Sequence, residues 1–191
     1  MLLKFRSHLD FRHSAHLALW AALLVGFFTF FRTANLCPPS KETFCSFSTL
    51  SRNNVTFTSW GVAITVTWTK TRQSGDTALV VPIPCIPNSD LFPVKALQTL
   101  FQAVHVPLRA PAFSYISQGQ QPDCLTAPTF RSSIQSLASR IGLKPANYSG
   151  HSLHRRGATF AFHWGIPAEL VKMQGDWRSN GGRIYCTCCF L

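Results

Sequence analysis

Acidic side chains are scarce in this chain: 7 Asp and Glu stand against 18 Lys and Arg in 191 residues, a formal net charge of +11. Basic residues occur in nearly every segment, and a surface of that sign attracts polyanions, of which nucleic acid is the commonest. Charge of either sign is sparse, 13% of residues beside 46% hydrophobic, which excludes a disordered chain and fits one domain with a buried core. Repeated cysteine spacing is also missing. The seven cysteines, Cys37, Cys45, Cys85, Cys124, Cys186, Cys188 and Cys189, are odd in number and match neither a disulfide framework nor a paired-knuckle zinc site. They read as reduced thiols in an intracellular protein. No apolar run reaches the roughly twenty residues of a spanning helix. Leu17 to Phe31, fifteen uncharged residues between His16 and Arg32, fits a buried core helix instead. Arg6, Asp10, Arg12 and His13 precede it and no small-x-small cleavage site closes it, which argues against a secretory signal. A membrane-associated protein built on that helix is the alternative, which carbonate extraction decides. Two glycosylation triplets, at Asn54 and Asn147, are too short to move the compartment. The terminal Cys188-Cys189-Phe190-Leu191 has the form of a prenylation box without its polybasic neighbour.

Periodicity organises the rest. Leu17, Trp20, Leu24, Phe27 and Phe31 recur at helical spacing with apolar residues almost all round, the pattern of a central helix. Val62, Ile64, Val66 and Trp68 alternate with small and hydroxyl residues, then Leu79, Val81 and Ile83 alternate on the return, so a hairpin is expected with Pro82, Pro84 and Pro87 ending its second strand. Pro93 opens an amphipathic helix with Val94, Leu97, Leu100, Phe101 and Val104 inward. From Pro107 to Pro128 no period is sustained, and an exposed loop is expected. Thr129 is the expected cap of a helix facing inward with Phe130, Ile134, Leu137 and Ile141, closed by Gly142 and Pro145. Helices over Ser152 to Trp164, Pro167 to Gln174 and Ser179 to Tyr185 complete a mainly α chain with a small antiparallel β-hairpin, an α+β class without internal repeats.

The densest signals lie near the end: Gly150-His151-Ser152-Leu153-His154-Arg155-Arg156-Gly157, then Gln174-Gly175-Asp176-Trp177, then Tyr185. With Phe30-Phe31-Arg32-Thr33-Ala34-Asn35-Leu36 upstream, this order resembles the catalytic domain of the tyrosine recombinases (phage integrases), closest to those of DIRS-like and Crypton-like mobile elements. The resemblance runs from about Phe11 to Tyr185. It implies a single truncated catalytic domain over residues 1–191, without the N-terminal core-binding domain or C-terminal tail. It further implies DNA recombination and integration by strand breaking and rejoining, on double-stranded DNA and with other protomers. No cofactor, metal or membrane enters, and the place is intracellular, nuclear in a eukaryote.

The roles follow residue by residue from the resemblance. Arg32 is the first phosphate clamp, suited because a guanidinium donates a planar pair of hydrogen bonds and stays charged. Lys70 is the general acid for the leaving 5′ oxygen. His151 opens a His-x-x-Arg pair whose members share one helix face. The second arginine's position holds His154, while Arg155 points about 100° away around a helix. Asp176 stands nine residues before the tyrosine, where the family carries His or Trp, with Trp177 beside it. Tyr185, one of three tyrosines, is the nucleophile of a 3′-phosphotyrosine intermediate. Gly181 and Gly182 just before it each cost up to about 1 kcal/mol of helix propensity, which implies a loosely held nucleophile. The lost arginine implies impaired activity, and a non-catalytic DNA-binding remnant of the same fold is the competing reading.

Overall fold

A computed structural model of the chain describes residues 1–67, 78–150 and 152–175. Its helices are α1 (Leu2–Arg6), α2 (Ser14–Thr29), α3 (Thr33–Leu36), α4 (Pro93–Ala103), α5 (Ala127–Arg140), α6 (Ser152–His163) and α7 (Ala168–Gly175). Strands β1 (Val55–Phe57), β2 (Gly61–Val66) and β3 (Leu79–Pro84) form an antiparallel sheet in that order, and β4 (Ser114–Ile116) pairs with β5 (Pro122–Cys124). This is the mainly helical α+β architecture expected.

The apolar run becomes α2, and every residue from Leu17 to Gly26 is buried. A helix apolar all round has no solvent face, so the other elements must surround it. They do: α4, α6 and β4 pack against it. Gly26 allows part of that closeness, since a Cβ there would stand 2.8 Å from Leu36 Cδ1. The hairpin forms as the alternation predicts, with Gly61 opposite Pro84 and Val66 opposite Leu79. Val62, Ile64, Val66, Val81 and Ile83 supply its buried face. Helix α4 buries Val94, Leu97 and Leu100, and α5 buries Phe130, Ile134 and Leu137, the faces read from their spacing.

Four expectations need correction. Pro82 and Pro84 do not end β3 but lie within it on its exposed face. Because β3 is an edge strand, a missing N–H is tolerated there. The stretch from Pro107 to Pro128 is not simply an exposed loop. It contains the β4–β5 hairpin and buries Ala112, Phe113, Cys124 and Leu125. Strands of three residues are too short to display a period. Helix α5 starts earlier than expected: Thr126 is its cap, accepting from the Thr129 N–H at 3.4 Å, and Thr129 lies inside. Two short helices, α1 and α3, were not expected at all. Among the described cysteines, Cys37, Cys45, Cys85 and Cys124 are free, and burial pushes the Cys37 thiol up, as suits an unreactive reduced thiol.

Among the described residues, Arg52 is a buried cation away from the Arg32 and His154 segments. Arg52 is 5% exposed, and its guanidinium carbon lies 3.8 Å over the Phe101 ring. Its Nε and Nη2 have no hydrogen-bond partner, and burial brings its pKa down to about 10. A base whose pKa is depressed by folding binds its proton more tightly when unfolded, so this group lowers stability at neutral pH and the penalty fades only above pH 10. Arg52→Met should therefore leave stability unchanged or raise it, because it keeps the contact with Phe101 and removes a desolvated charge. Arg52→Ala should cost about 2–4 kcal/mol through lost packing. Urea unfolding at pH 7 checks both. A Met variant as unstable as the Ala variant would mean that the charge itself stabilises.

Candidate functional site

Arg32 is placed by the way α2 stops. The Thr29 hydroxyl donates to the Val25 carbonyl at 2.7 Å and accepts from the Phe31 N–H at 3.3 Å. Phe30 then adopts the left-handed conformation, φ 55°, ψ 28°, uncommon for a residue with a side chain. Its ring is compensated by burial in a small cluster with Ala158 of α6 and Val171 of α7. Phe31 enters the main core, and Arg32 follows in extended conformation, half-buried, immediately before α3.

The next residue joins this turn to the far end of the chain. Thr33 Oγ1 donates to the Gly150 carbonyl at 2.7 Å, across 117 positions of sequence. Gly150 admits no side chain while that bond is made, since a Cβ would lie 2.2 Å from Thr33 Oγ1. The bond therefore ties the residue after Arg32 to the residue that leads into the segment of α6.

Helix α6 lies on the last turns of α2. A Cβ at Gly157 would stand 2.2 Å from the Phe27 carbonyl oxygen and 2.9 Å from Phe30 Cδ1, so the two backbones touch directly there. That contact fixes the rotation of α6, and Leu153, His154, Gly157 and Ala158 share its buried face. His154 is only 4% exposed. Arg155 and Arg156 are on the exposed side. Arg156 is engaged elsewhere: its Nη2 donates to the Tyr148 hydroxyl at 3.1 Å, and Tyr148 itself meets Phe5 edge-on at 6.5 Å between centroids. Of the three consecutive basic residues, the one at the expected arginine position lies on the buried face of α6.

Helix α7 is fastened to the same end of α2. Val171 packs in the cluster with Phe30, and Gln174 Nε2 donates to the Phe28 carbonyl at 3.2 Å and to the Pro82 carbonyl of β3 at 3.3 Å. Lys70, His151, Asp176, Trp177 and Tyr185, and with them the expected helix over Ser179 to Tyr185, lie outside the described residues. Their flanks do not: β2 and β3 bracket the segment holding Lys70, and α7 ends one residue before Asp176. Among the described residues no cluster of His, Cys, Asp and Glu is arranged to hold a metal. No described helix is long and apolar enough to cross a membrane. A cleft of about 440 Å³ lined by His8, His16, Tyr115 and Arg140 opens beside the N-terminal half of α2, whereas Arg32 leaves its C-terminal end, so it is separate from this site.

No family model matches the sequence, and no curated protein matches it. Solved structures do. XerH site-specific recombinase bound to difH substrate in a pre-cleavage complex superposes with a TM-score of 0.66 over 96% of this chain at 17% identity. A post-cleavage complex of XerH with palindromic difH substrate gives 0.63 over 96% at 16% identity, and FLP recombinase in a Holliday junction complex 0.52 over 94% at 14%. The fold is that of a tyrosine recombinase catalytic domain. The chain spans about half the length of these structures, 48%, 47% and 42% respectively, and at such identities the likeness is one of fold.

Within that recombinase fold, sequence reasoning missed Thr33, Gly150 and Gln174. Gly150 had a signal, a glycine just before a helix start and beside the motif. Gln174 stood in the Gln-Gly-Asp-Trp stretch, but its contacts were not legible there, because its two acceptors are backbone carbonyls that no side-chain pattern reveals.

Proposed function

We propose that this chain binds duplex DNA and breaks and rejoins its strands through a phosphotyrosine at Tyr185, with a rate limited by His154. The hydrogen bond from Thr33 to Gly150 carries the reading, because it joins the residue that follows Arg32 to the residue that precedes His151 in the chain. In this scheme Arg32 and His151 hold the non-bridging oxygens of the scissile phosphate. The Tyr185 hydroxyl oxygen attacks phosphorus, the bond to the 5′ oxygen breaks, and Lys70 passes that oxygen a proton. Rejoining reverses the steps. His154 takes the place of a permanently charged planar fork, whose paired donors a single imidazole does not supply. Asp176 and Trp177 precede the proposed nucleophile in the sequence, where the family carries its fifth position. The Gln-Gly-Asp-Trp sequence supports a mobile-element recombinase, acting with other protomers and, in a eukaryote, in the nucleus.

A second reading, a DNA-binding remnant without catalysis, is favoured by the burial of His154 and the engagement of Arg156 with Tyr148. A nicked suicide substrate separates them: both readings predict retained DNA, but only the first predicts covalent attachment that Tyr185→Phe abolishes. Binding itself should depend steeply on salt. With several phosphates neutralised, duplex affinity should fall by about two orders of magnitude or more between 50 and 200 mM salt. An affinity indifferent to salt would remove nucleic acid as the partner.

A further inference from the structure

The side-chain amide of Gln174 has two N–H groups, and both are used on carbonyls that secondary structure leaves open. Phe28 lies in the last turn of α2, where carbonyls have no intrahelical donor. Pro82 belongs to an edge strand, whose outer row of backbone groups has no partner strand. The bonds, 3.2 and 3.3 Å long, meet at one nitrogen, so α7, α2 and β3 are pinned at a single point. Val171, three residues earlier on the same helix face, anchors α7 to Phe30, but an apolar contact alone does not fix where the end of a helix points.

Each pinned element leads into a different part of the proposed chemistry. α2 leads through Phe30 and Phe31 to Arg32, β3 is the return strand of the hairpin whose connection contains Lys70, and α7 ends at Gly175, before Asp176 and the stretch to Tyr185. We propose that Gln174 is a positioning residue: by donating to Phe28 and Pro82 it sets the exit direction of α7, and so the approach of the Tyr185 segment to the phosphate held by Arg32. It touches neither DNA nor the reacting atoms. The inference rests on the phosphotyrosine reading above.

Donation is what matters, so the variants are chosen to separate it from shape and polarity. Gln174→Leu keeps much of the volume and cannot donate. An ionised carboxylate in Gln174→Glu only accepts, facing two acceptors. Gln174→Lys carries an ammonium able to serve both carbonyls near a helix C-terminus. In the 191-residue chain carrying His154→Arg, single-turnover covalent complex formation is measured on a saturating suicide substrate, alongside duplex affinity and amide hydrogen exchange of residues 168–175. The expected result is a loss of about tenfold or more in rate for the Leu and Glu variants, near-parental rate for Lys, and Leu-variant duplex affinity within about twofold of the parent. Faster exchange in residues 168–175 should accompany the slow variants. Parental rates in Gln174→Leu, or equal losses in Leu and Lys, would overturn the proposal. If the parent forms no covalent complex, the phosphotyrosine reading fails by itself. The pin is then judged by exchange: faster in Leu but not in Lys upholds it as a positioning contact, and unchanged exchange in Leu overturns it.

Discussion

His154→Arg should raise the rate of covalent protein–DNA complex formation by about 10² to 10³, the usual worth of one preorganised donor at a developing oxyanion. Geometry contributes as much as charge. Gly157 sits on the Phe27 carbonyl and fixes the rotation of α6, and position 154, three residues earlier, is on the same face. A side chain there leaves the helix toward α2, from whose end Arg32 departs. Arg155 is on the exposed side of α6, so for Arg155 to replace the missing guanidinium the helix would have to turn by about 100° against the Gly157 contact. His154→Arg should therefore act strongly and Arg155→Ala weakly, both read as phosphotyrosyl complex on one suicide substrate. The reverse ranking would show that α6 rotates when DNA binds and that Arg155 supplies the charge. Equal absence of complex in every variant would leave the DNA-binding remnant as the function.

The second large effect is on stability. Gly157→Ala places a methyl group 2.2 Å from the Phe27 carbonyl oxygen and 2.9 Å from the Phe30 ring. Neither neighbour yields cheaply, the first being backbone and the second a buried ring on a left-handed residue. Helix α6 must move off α2, and a loss of about 2–4 kcal/mol is expected from such overpacking. Gly119→Ala is the control, since a Cβ there meets nothing within 4 Å, and it should stay within about 0.5 kcal/mol of wild type. Urea midpoints of the two proteins decide the matter. A Gly157→Ala protein as stable as the control would mean that α6 does not pack on α2 through this glycine.

The fold was legible where burial wrote a long period into the sequence. Helix α2, the β2–β3 hairpin, α4 and α5 announced themselves because each offers one face, or all faces, to a single core. What was not legible was short or made by the backbone. The strands β4 and β5, three residues each, showed no alternation, and α3 is a single turn whose place is set by the Thr33 bond to Gly150. The early start of α5 was missed because Thr126 and Thr129 are chemically equivalent caps, and only the fold chooses between them. At the candidate site, Arg32 and His154 were proposed from the motif that surrounds them. The links that hold them, Thr33 to Gly150 and Gln174 to Phe28 and Pro82, end on carbonyl oxygens, which every residue possesses and no sequence pattern marks.

The C-terminal end of α2 is a shared foundation. Arg32 grows out of it, α6 rests on it through Gly157 and Phe27, and α7 is tied to it through Val171, Phe30 and Gln174. Elements that share one support open together, and local unfolding commonly proceeds in such cooperative units. The amides of the last turn of α2, of α6 and of α7 should accordingly exchange as one foldon, whose opening disassembles the whole site in a single event. A single charged position can therefore change while this foundation keeps its shape, whereas loosening the foundation displaces every segment packed on it at once.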